Sequence, residues 1–278
     1  FLRAGLLDRA ESSLCQVGSR SKYGIPAKES LLEMYQIEKD WRKAIIAASE
    51  LAQLEKKDYQ DQIAQFDCEI ALEAMRRQDL VASHLALDHA FIAVPEHIRA
   101  TILRGEVYIL GQRPKEAIIT WKLIEEKYPA FLHLVADQWI LAHQELGQES
   151  VGLERLVAQL PEHGWGELLD IVYKHVLRLQ GAAAAELLMS QVLLKTPTLT
   201  VLAKRFEAQY QLAIAQEAQS SATDLKASVD LLKKRSSSLA RYTCSSCGFR
   251  AKRFYWQCPG CNHWDVYSPK RSEGLAGL

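Results

Sequence analysis

The stretch LGQRPKEAIITWKLIEEKYP, Leu110 to Pro129, reads as a turn, then one helix, then a proline that stops it. Proline lacks the N–H a further turn would need, so the helix ends there. Ala117 is small enough for a neighbouring helix to cross closely, and Trp121, one turn later, is large enough to fill the gap beyond the crossing. The same arrangement recurs along the chain. Ser83 in RRQDLVASHLALDHAFIAVP lies 34 residues before Ala117, and Ala185 in LQGAAAAELLMSQVLLKTP lies 68 after it. Pro95, Pro129 and Pro197 keep the same separations of 34 and 68. Ala10 in AGLLDRAESSL and Ala44 in IEKDWRKAIIAASEL are also 34 apart. Between Ala44 and Ser83 the phase slips by five residues, an insertion the reading assigns to the loop around Lys56 to Gln60.

A period of 34 is that of the tetratricopeptide unit, two antiparallel helices with a small residue at their crossing. About six units are expected over residues 1–215, forming a solenoid whose concave groove is lined by the first helix of each unit. The unit around Val151 is degenerate, and Leu7, Leu80 and Pro114 stand where Trp41 supplies the expected aromatic. Phe1 begins only a few residues before a turn at Gly5, so the first unit is expected to lack its leading helix and residues are expected upstream. Residues 216–240 are expected as a junction and one amphipathic helix, capped by Ser221 or Thr223, with Leu225, Val229 and Leu232 on one face. Its end is basic through Lys233, Lys234 and Arg235, which suits a helix C-terminus.

Residues 241–278 change character. In YTCSSCGFRAKRFYWQCPGCNHWDVY, the pairs Cys244/Cys247 and Cys258/Cys261 give two C-x2-C knuckles separated by ten residues. Each knuckle aims two thiolates at one point, and two knuckles complete a tetrahedral metal site. Gly248 and Gly260 are expected to supply the left-handed turns that knuckles need. So short a segment buries too little apolar surface to fold unaided, so metal binding supplies the folding free energy. Four closed thiolates leave no open coordination position, which makes the ion structural, and both zinc and iron suit the donor set. Tyr242, Phe249, Phe254, Tyr255, Trp256 and Trp264 furnish its shell and a docking face. Disulfides are the rival reading, disfavoured in a helical repeat chain with no visible signal peptide. The other two cysteines, Cys15 and Cys68, read as buried inert thiols.

The chain has 278 residues, 48% apolar and 24% charged, with 14 Gly and 8 Pro. This is ordinary globular composition and rules out collagen-like and low-complexity classes. No apolar run approaches the ~20 residues that span a bilayer. No phosphate-binding loop, H-E-x-x-H or G-x-S-x-G occurs; GQESVG around Ser150 has the wrong spacing and is expected in a loop. His84, Asp88 and His89 share a helix, read as a solvated face, while His133, His143, His163 and His175 are scattered with no carboxylate partner implied. Glu125 and Glu126 read as exposed helix charges. Nothing rises to an active site, and the chain is read as no enzyme. The 34 basic and 34 acidic residues cancel. The cancellation hides a polarity: Lys233 to Arg271 holds nine basic residues against one acid, a net of +8, which leaves −8 elsewhere. The basic ribbon suits nucleic acid, an acidic protein, an anionic membrane leaflet, or docking onto the array's own end.

The repeats followed by a C-x2-C-G…C-P-x-C ribbon resemble one bacterial family, lipopolysaccharide assembly protein B. The matching text is AGLLDRAE, the ribbon YTCSSCGFRAKRFYWQCPGC, and KRSEGLAGL after HWDVYSP. The resemblance implies an all-α tetratricopeptide array with a C-terminal rubredoxin-like metal ribbon. It implies metal ligands at Cys244, Cys247, Cys258 and Cys261, and an N-terminal transmembrane helix that this chain lacks. It further implies a cytoplasmic domain held at the inner membrane. There it would act as a non-enzymatic adaptor, presenting the UDP-acyl-GlcNAc deacetylase that commits lipid A synthesis to the AAA protease FtsH, among other lipopolysaccharide assembly and regulatory proteins. The segment WQCPGCNHWD also resembles the ribbon of the DNA-repair ATPase RadA. That protein needs a phosphate loop, which is absent, so nucleic-acid binding stays the alternative.

Overall fold

Ala10, Ala44, Ser83, Ala117 and Ala185, the five small residues of the repeat, are all buried, and Trp121 is buried with them. The computed structural model that places them describes residues 6–19, 21–163, 166–239 and 242–270. The turn at Gly5, the side chain of His163, Arg241, Arg271 and the rest of the tail lie outside the described residues. The chain divides into two compact units at Thr120/Trp121. Both are built of helix pairs, as the 34-residue period requires.

The first unit holds α1 (Leu7–Cys15), α2 (Gly24–Glu38), α3 (Trp41–Glu55), α4 (Gln60–Arg76), α5 (Leu80–Ala93), α6 (Ile98–Leu110) and the start of α7 (Pro114–Lys127). Second helices start on acidic caps: Asp40 accepts from the Lys43 N–H at 3.2 Å and Asp79 from the Ala82 N–H at 2.9 Å. Around Ser83 the core is made of small side chains, with Ala64, Cys68 and Ala71 of α4 against Ala86 and Ala90 of α5 and Ala100 of α6. Alanines let three helix axes approach closely while keeping full helix propensity. Trp41 stacks on Phe66 at 5.8 Å between centroids, tying α3 to α4.

The five extra residues do not sit in the loop at Lys56 to Gln60. The connections at 56–59 and 94–97 are equally long, as are those at 77–79 and 111–113. Instead α4 has 17 residues against 13 in α6, and α3 has 15 against 14 in α5, which accounts for all five. Four residues add little more than one helical turn, so α4 gains length while its buried face stays within about 40° of register.

The second unit continues with the rest of α7, a 3-10 turn (Pro129–Leu134), α8 (Ala136–Glu145), α9 (Glu149–His163), α10 (Glu167–Lys195), α11 (Leu199–Ala215) and α12 (Gln219–Leu239). Ser150 therefore lies in the first turn of α9 rather than in a loop. α10 is two helices joined at Gly181, whose φ of 84° and ψ of 177° no other residue adopts at low cost. In the degenerate pair the crossing position is Gly152, one residue past Val151. A Cβ there would meet His143 Cγ at 2.6 Å, and Trp139 Nε1 donates to the Gly152 carbonyl at 3.1 Å. The aromatic pair Trp139 and His143 has taken the space that a small side chain fills elsewhere. The helix expected over the junction is α12, and it packs along α11, with Val229 buried and Lys233 donating to Glu207 at 2.6 Å. Ser221 and Thr223 fall inside this helix, so neither is its cap. Among the described residues no helix is long and apolar enough to cross a membrane.

Candidate metal centre

A short antiparallel pair opens the ribbon, β1 (Tyr242–Thr243) against β2 (Arg250–Ala251), with Tyr242 opposite Ala251. Further bridges join Cys244 to Tyr267 and Gln257 to Trp264. Both knuckles are closed in the same way. Gly248 N–H returns to the Cys244 carbonyl at 3.0 Å and Asn262 N–H to the Cys258 carbonyl at 2.8 Å. Each donor is four residues after the first cysteine of its pair and each is left-handed, with φ of 75° and 58°. The second left-handed residue is thus Asn262 and not Gly260, since asparagine tolerates that conformation. Gly260 is constrained in another way: a Cβ there would lie 3.2 Å from the Phe249 side chain, which would have to give way.

The four sulfurs of Cys244, Cys247, Cys258 and Cys261 lie within 4.8 Å of one another. Cys244 and Cys261 are 3.8 Å apart, Cys247 and Cys258 3.7 Å. Metal–sulfur bonds of about 2.3 Å give a tetrahedron edge of about 3.8 Å, so the donors are spaced for an ion and far beyond the ~2.05 Å of a disulfide. Cys247 N–H points at the Cys244 sulfur at 3.4 Å and Gly260 N–H at the Cys258 sulfur at 3.3 Å. Such bonds stabilise thiolate charge around the ion. Burial opposes ionising Cys258, yet the Tyr267 hydroxyl and the Gly260 and Cys261 N–H groups outweigh it and hold the thiol down at about 6. For Cys247 the Phe249 backbone favours the thiolate, but burial and the three neighbouring sulfurs push it up to about 12. The Cys258 thiolate forms readily and that of Cys247 needs the cation's charge, so metal binding releases protons. Tyr267, buried against Cys258, is raised by burial first and by that sulfur second. These donors form a site for one structural metal ion, and zinc and iron both suit it.

Docking on the array's own end is the expectation; the ring contacts among the described residues lie elsewhere. The ribbon docks on the 3-10 turn after α7, in the same compact unit. Phe131 stacks on Trp256 with centroids 5.6 Å apart and planes 6° apart, and meets Phe254 edge-on at 6.0 Å. His133 stacks on Tyr242 at 6.4 Å and meets Phe254 edge-on at 6.1 Å. Phe254 therefore lies at the centre of a five-ring cluster. Rings make the contact, and residues 125–170 hold nine acids and two bases, a net of −7, opposite in sign to the ribbon. The six ribbon aromatics anticipated a docking face. Nothing in the sequence singled out Phe131 or His133 as its receiver.

Other expectations change once contacts are visible. Cys68 is buried as expected, whereas Cys15 is exposed. Asp88 and His89 are exposed, as a solvated face requires, with Asp88 accepting from Arg104 at 2.5 Å, while His84 is half-buried on Tyr108 at 5.1 Å. His175 has carboxylates nearby, Asp137 and Glu149 both at 3.9 Å. Glu125 is nearly buried, gripped through both oxygens by Arg155. Glu126 stays exposed. A polar group unforeseen in the sequence joins the first helices α4 and α6. Arg99, itself buried, donates to Gln65 at 2.9 Å and pairs with Glu69. Beside it the Cys68 sulfur lies 3.7 Å from His97 Nδ1, which also accepts from the Ala100 N–H. Burial, partly offset by Arg99, pushes Glu106 up to about 7. Burial likewise raises Asp67 to about 6 and, with Arg99, lowers His97 to about 4.

Residues 242–266 match the rubredoxin metal binding domain. Over its whole length the chain is 28% identical to lipopolysaccharide assembly protein B of Escherichia coli strain K12, covering 70% of that protein. Over 97% of its length it is 26% identical to the protein of the same name from Haemophilus influenzae, covering 67% of that chain. This chain is similar to lipopolysaccharide assembly protein B along its whole length. The resemblance drawn from the repeats and the ribbon therefore stands, along with the fold and the metal centre it implied.

Proposed function

We propose that this chain is a non-enzymatic adaptor in lipopolysaccharide assembly, acting at the cytoplasmic face of the bacterial inner membrane. In this reading it brings the UDP-acyl-GlcNAc deacetylase of lipid A synthesis to an FtsH-type membrane protease. What carries the reading is similarity that runs through both repeats and ribbon to two proteins named for lipopolysaccharide assembly. Two structural features support it. Stacked helix pairs expose side chains from successive first helices to one partner at once, which suits protein recognition. Four thiolates around one ion complete its coordination and give the ribbon a structural role. The metal ligands in this reading are Cys244, Cys247, Cys258 and Cys261, and the partner surface lies on the first helices, among them α4 and α6.

The test is in-cell crosslinking of the chain tethered to the inner membrane. Recovery of the protease and the deacetylase together is expected. Recovery of neither, from a chain that retains its metal, overturns the adaptor reading.

A further inference from the structure

Docking consumes one side of the ribbon and leaves the other to solvent. Between the knuckles, Phe254 and Trp256 turn toward Phe131 while Arg253 and Tyr255 are exposed. Phe249, Arg250 and Lys252 are exposed as well. The arm from 249 to 255 thus presents three cations and two aromatic rings, and no ion pair engages those cations among the described residues. Its charge is opposite to that of the acidic stretch 125–170 on which the ribbon sits.

We propose that this arm docks on an anionic lipid surface. Cations beside exposed aromatics are the composition of interfacial anchors, in which the rings lie at headgroup level and the charges meet lipid phosphates. The polarity of the unit orients it, because an anionic surface repels the acidic helices and attracts the arm. The ring environments favour lipid over single-stranded nucleic acid, which also pairs cations with rings. Phe249 lies against Gly260, and Tyr255 is tilted on Tyr267 with centroids 6.3 Å apart. Each ring is covered on one side, leaving less face for a base to stack on, while the exposed part remains free to enter a headgroup layer. The proposal goes beyond the adaptor reading and does not rest on it, since crosslinked partners and vesicle binding are separate measurements.

The test is flotation of the metal-loaded chain with vesicles. Binding to phosphatidylglycerol vesicles, absent with phosphatidylcholine and abolished by salt, is expected. The triple variant R250Q/K252Q/R253Q should lower the partition coefficient on the order of a hundredfold at low salt, with metal content unchanged. Equal binding to both lipids, salt-insensitive binding, or a metal-loaded variant that binds like the parent overturns it. Retention of a labelled single-stranded oligonucleotide without vesicle binding overturns it in favour of nucleic acid. If the variant loses its metal, the lipid and salt comparison on the parent chain decides.

Discussion

The Phe131 ring lies 5.6 Å from that of Trp256 and within 6° of parallel, joining a turn in the middle of the chain to the metal ribbon near its end. Stacked and edge-on pairs contribute about 0.5–1.5 kcal/mol each beyond area burial, and Phe131 makes two. Phe131→Ala should destabilise the docked ribbon by about 2–3 kcal/mol. Metal release to a chelator should accelerate at least tenfold while helical circular dichroism stays unchanged. Release at the parent rate would mean that the dock does not support the metal site.

Cys258→Ser removes the most buried donor of the tetrahedron. The variant should bind less than a tenth of the one equivalent of metal the parent holds, by elemental analysis. Near-ultraviolet ellipticity from the ribbon aromatics should collapse as its folding free energy is lost. Full metal content in this variant would refute the ligand set.

Gly152→Ala sets a methyl group 2.6–2.8 Å from His143 Cγ, Cβ and Nδ1. Overpacking of this kind costs about 1–3 kcal/mol, against a gain of at most ~1 kcal/mol in helix propensity. The melting temperature should fall, and His143→Ala in the same chain should recover part of the loss. A single variant as stable as the parent would show that the crossing can widen.

Stability should also depend on pH through the α4–α6 group. Glu106 titrates in the fold near 7, above its unfolded value, so its favourable contribution is full in acid and lost as pH rises through 7. His97 runs the other way. Its folded value near 4 gives a contribution present above its unfolded value and lost as pH falls from about 6.5 to 4. Denaturant midpoints should therefore rise as pH falls from 8 to about 6.5; below that the Glu106 and His97 slopes cancel down to about 4.5, and Asp67, raised to about 6, leaves only a shallow further rise. Glu106→Gln should flatten the upper limb and stabilise the protein by about 2 kcal/mol at pH 8, with little effect at pH 5. An unchanged upper limb in that variant would assign the slope elsewhere.

The small crossing residues and the cysteines were legible because each has one steric or chemical use, and periodic spacing exposes it. Ala44, Ser83, Ala117 and Ala185 could be phased from one another, and four cysteines in two knuckles define their own target. Gly152 was hidden because its neighbour His143 lies on another helix, so the register shifts by one residue with no local sign. The insertion was misplaced because loops tolerate length in general, whereas here a full turn was added to a helix without moving its buried face. Phe131 and His133 resemble ordinary core aromatics of a repeat. Their partners are about a hundred residues away, and only the assembled fold brings them together. Charge pointed to docking in the right sense, but the rings determine where it occurs.

Stacked helix pairs hold only their neighbours, so an array of them can fray from any point at modest cost. The ring contact between Phe131 and Trp256 breaks that rule within its unit, since everything from α8 to α12 lies between two points fastened together. Closing so long a loop is costly once and grows only slowly with length, so the ribbon constrains five helices for little more than the cost of one. Hydrogen exchange should accordingly show α8 to α12 opening together, at a free energy that tracks metal occupancy. The ion is thereby expected to set the cooperativity of a block of helices that supplies none of its ligands.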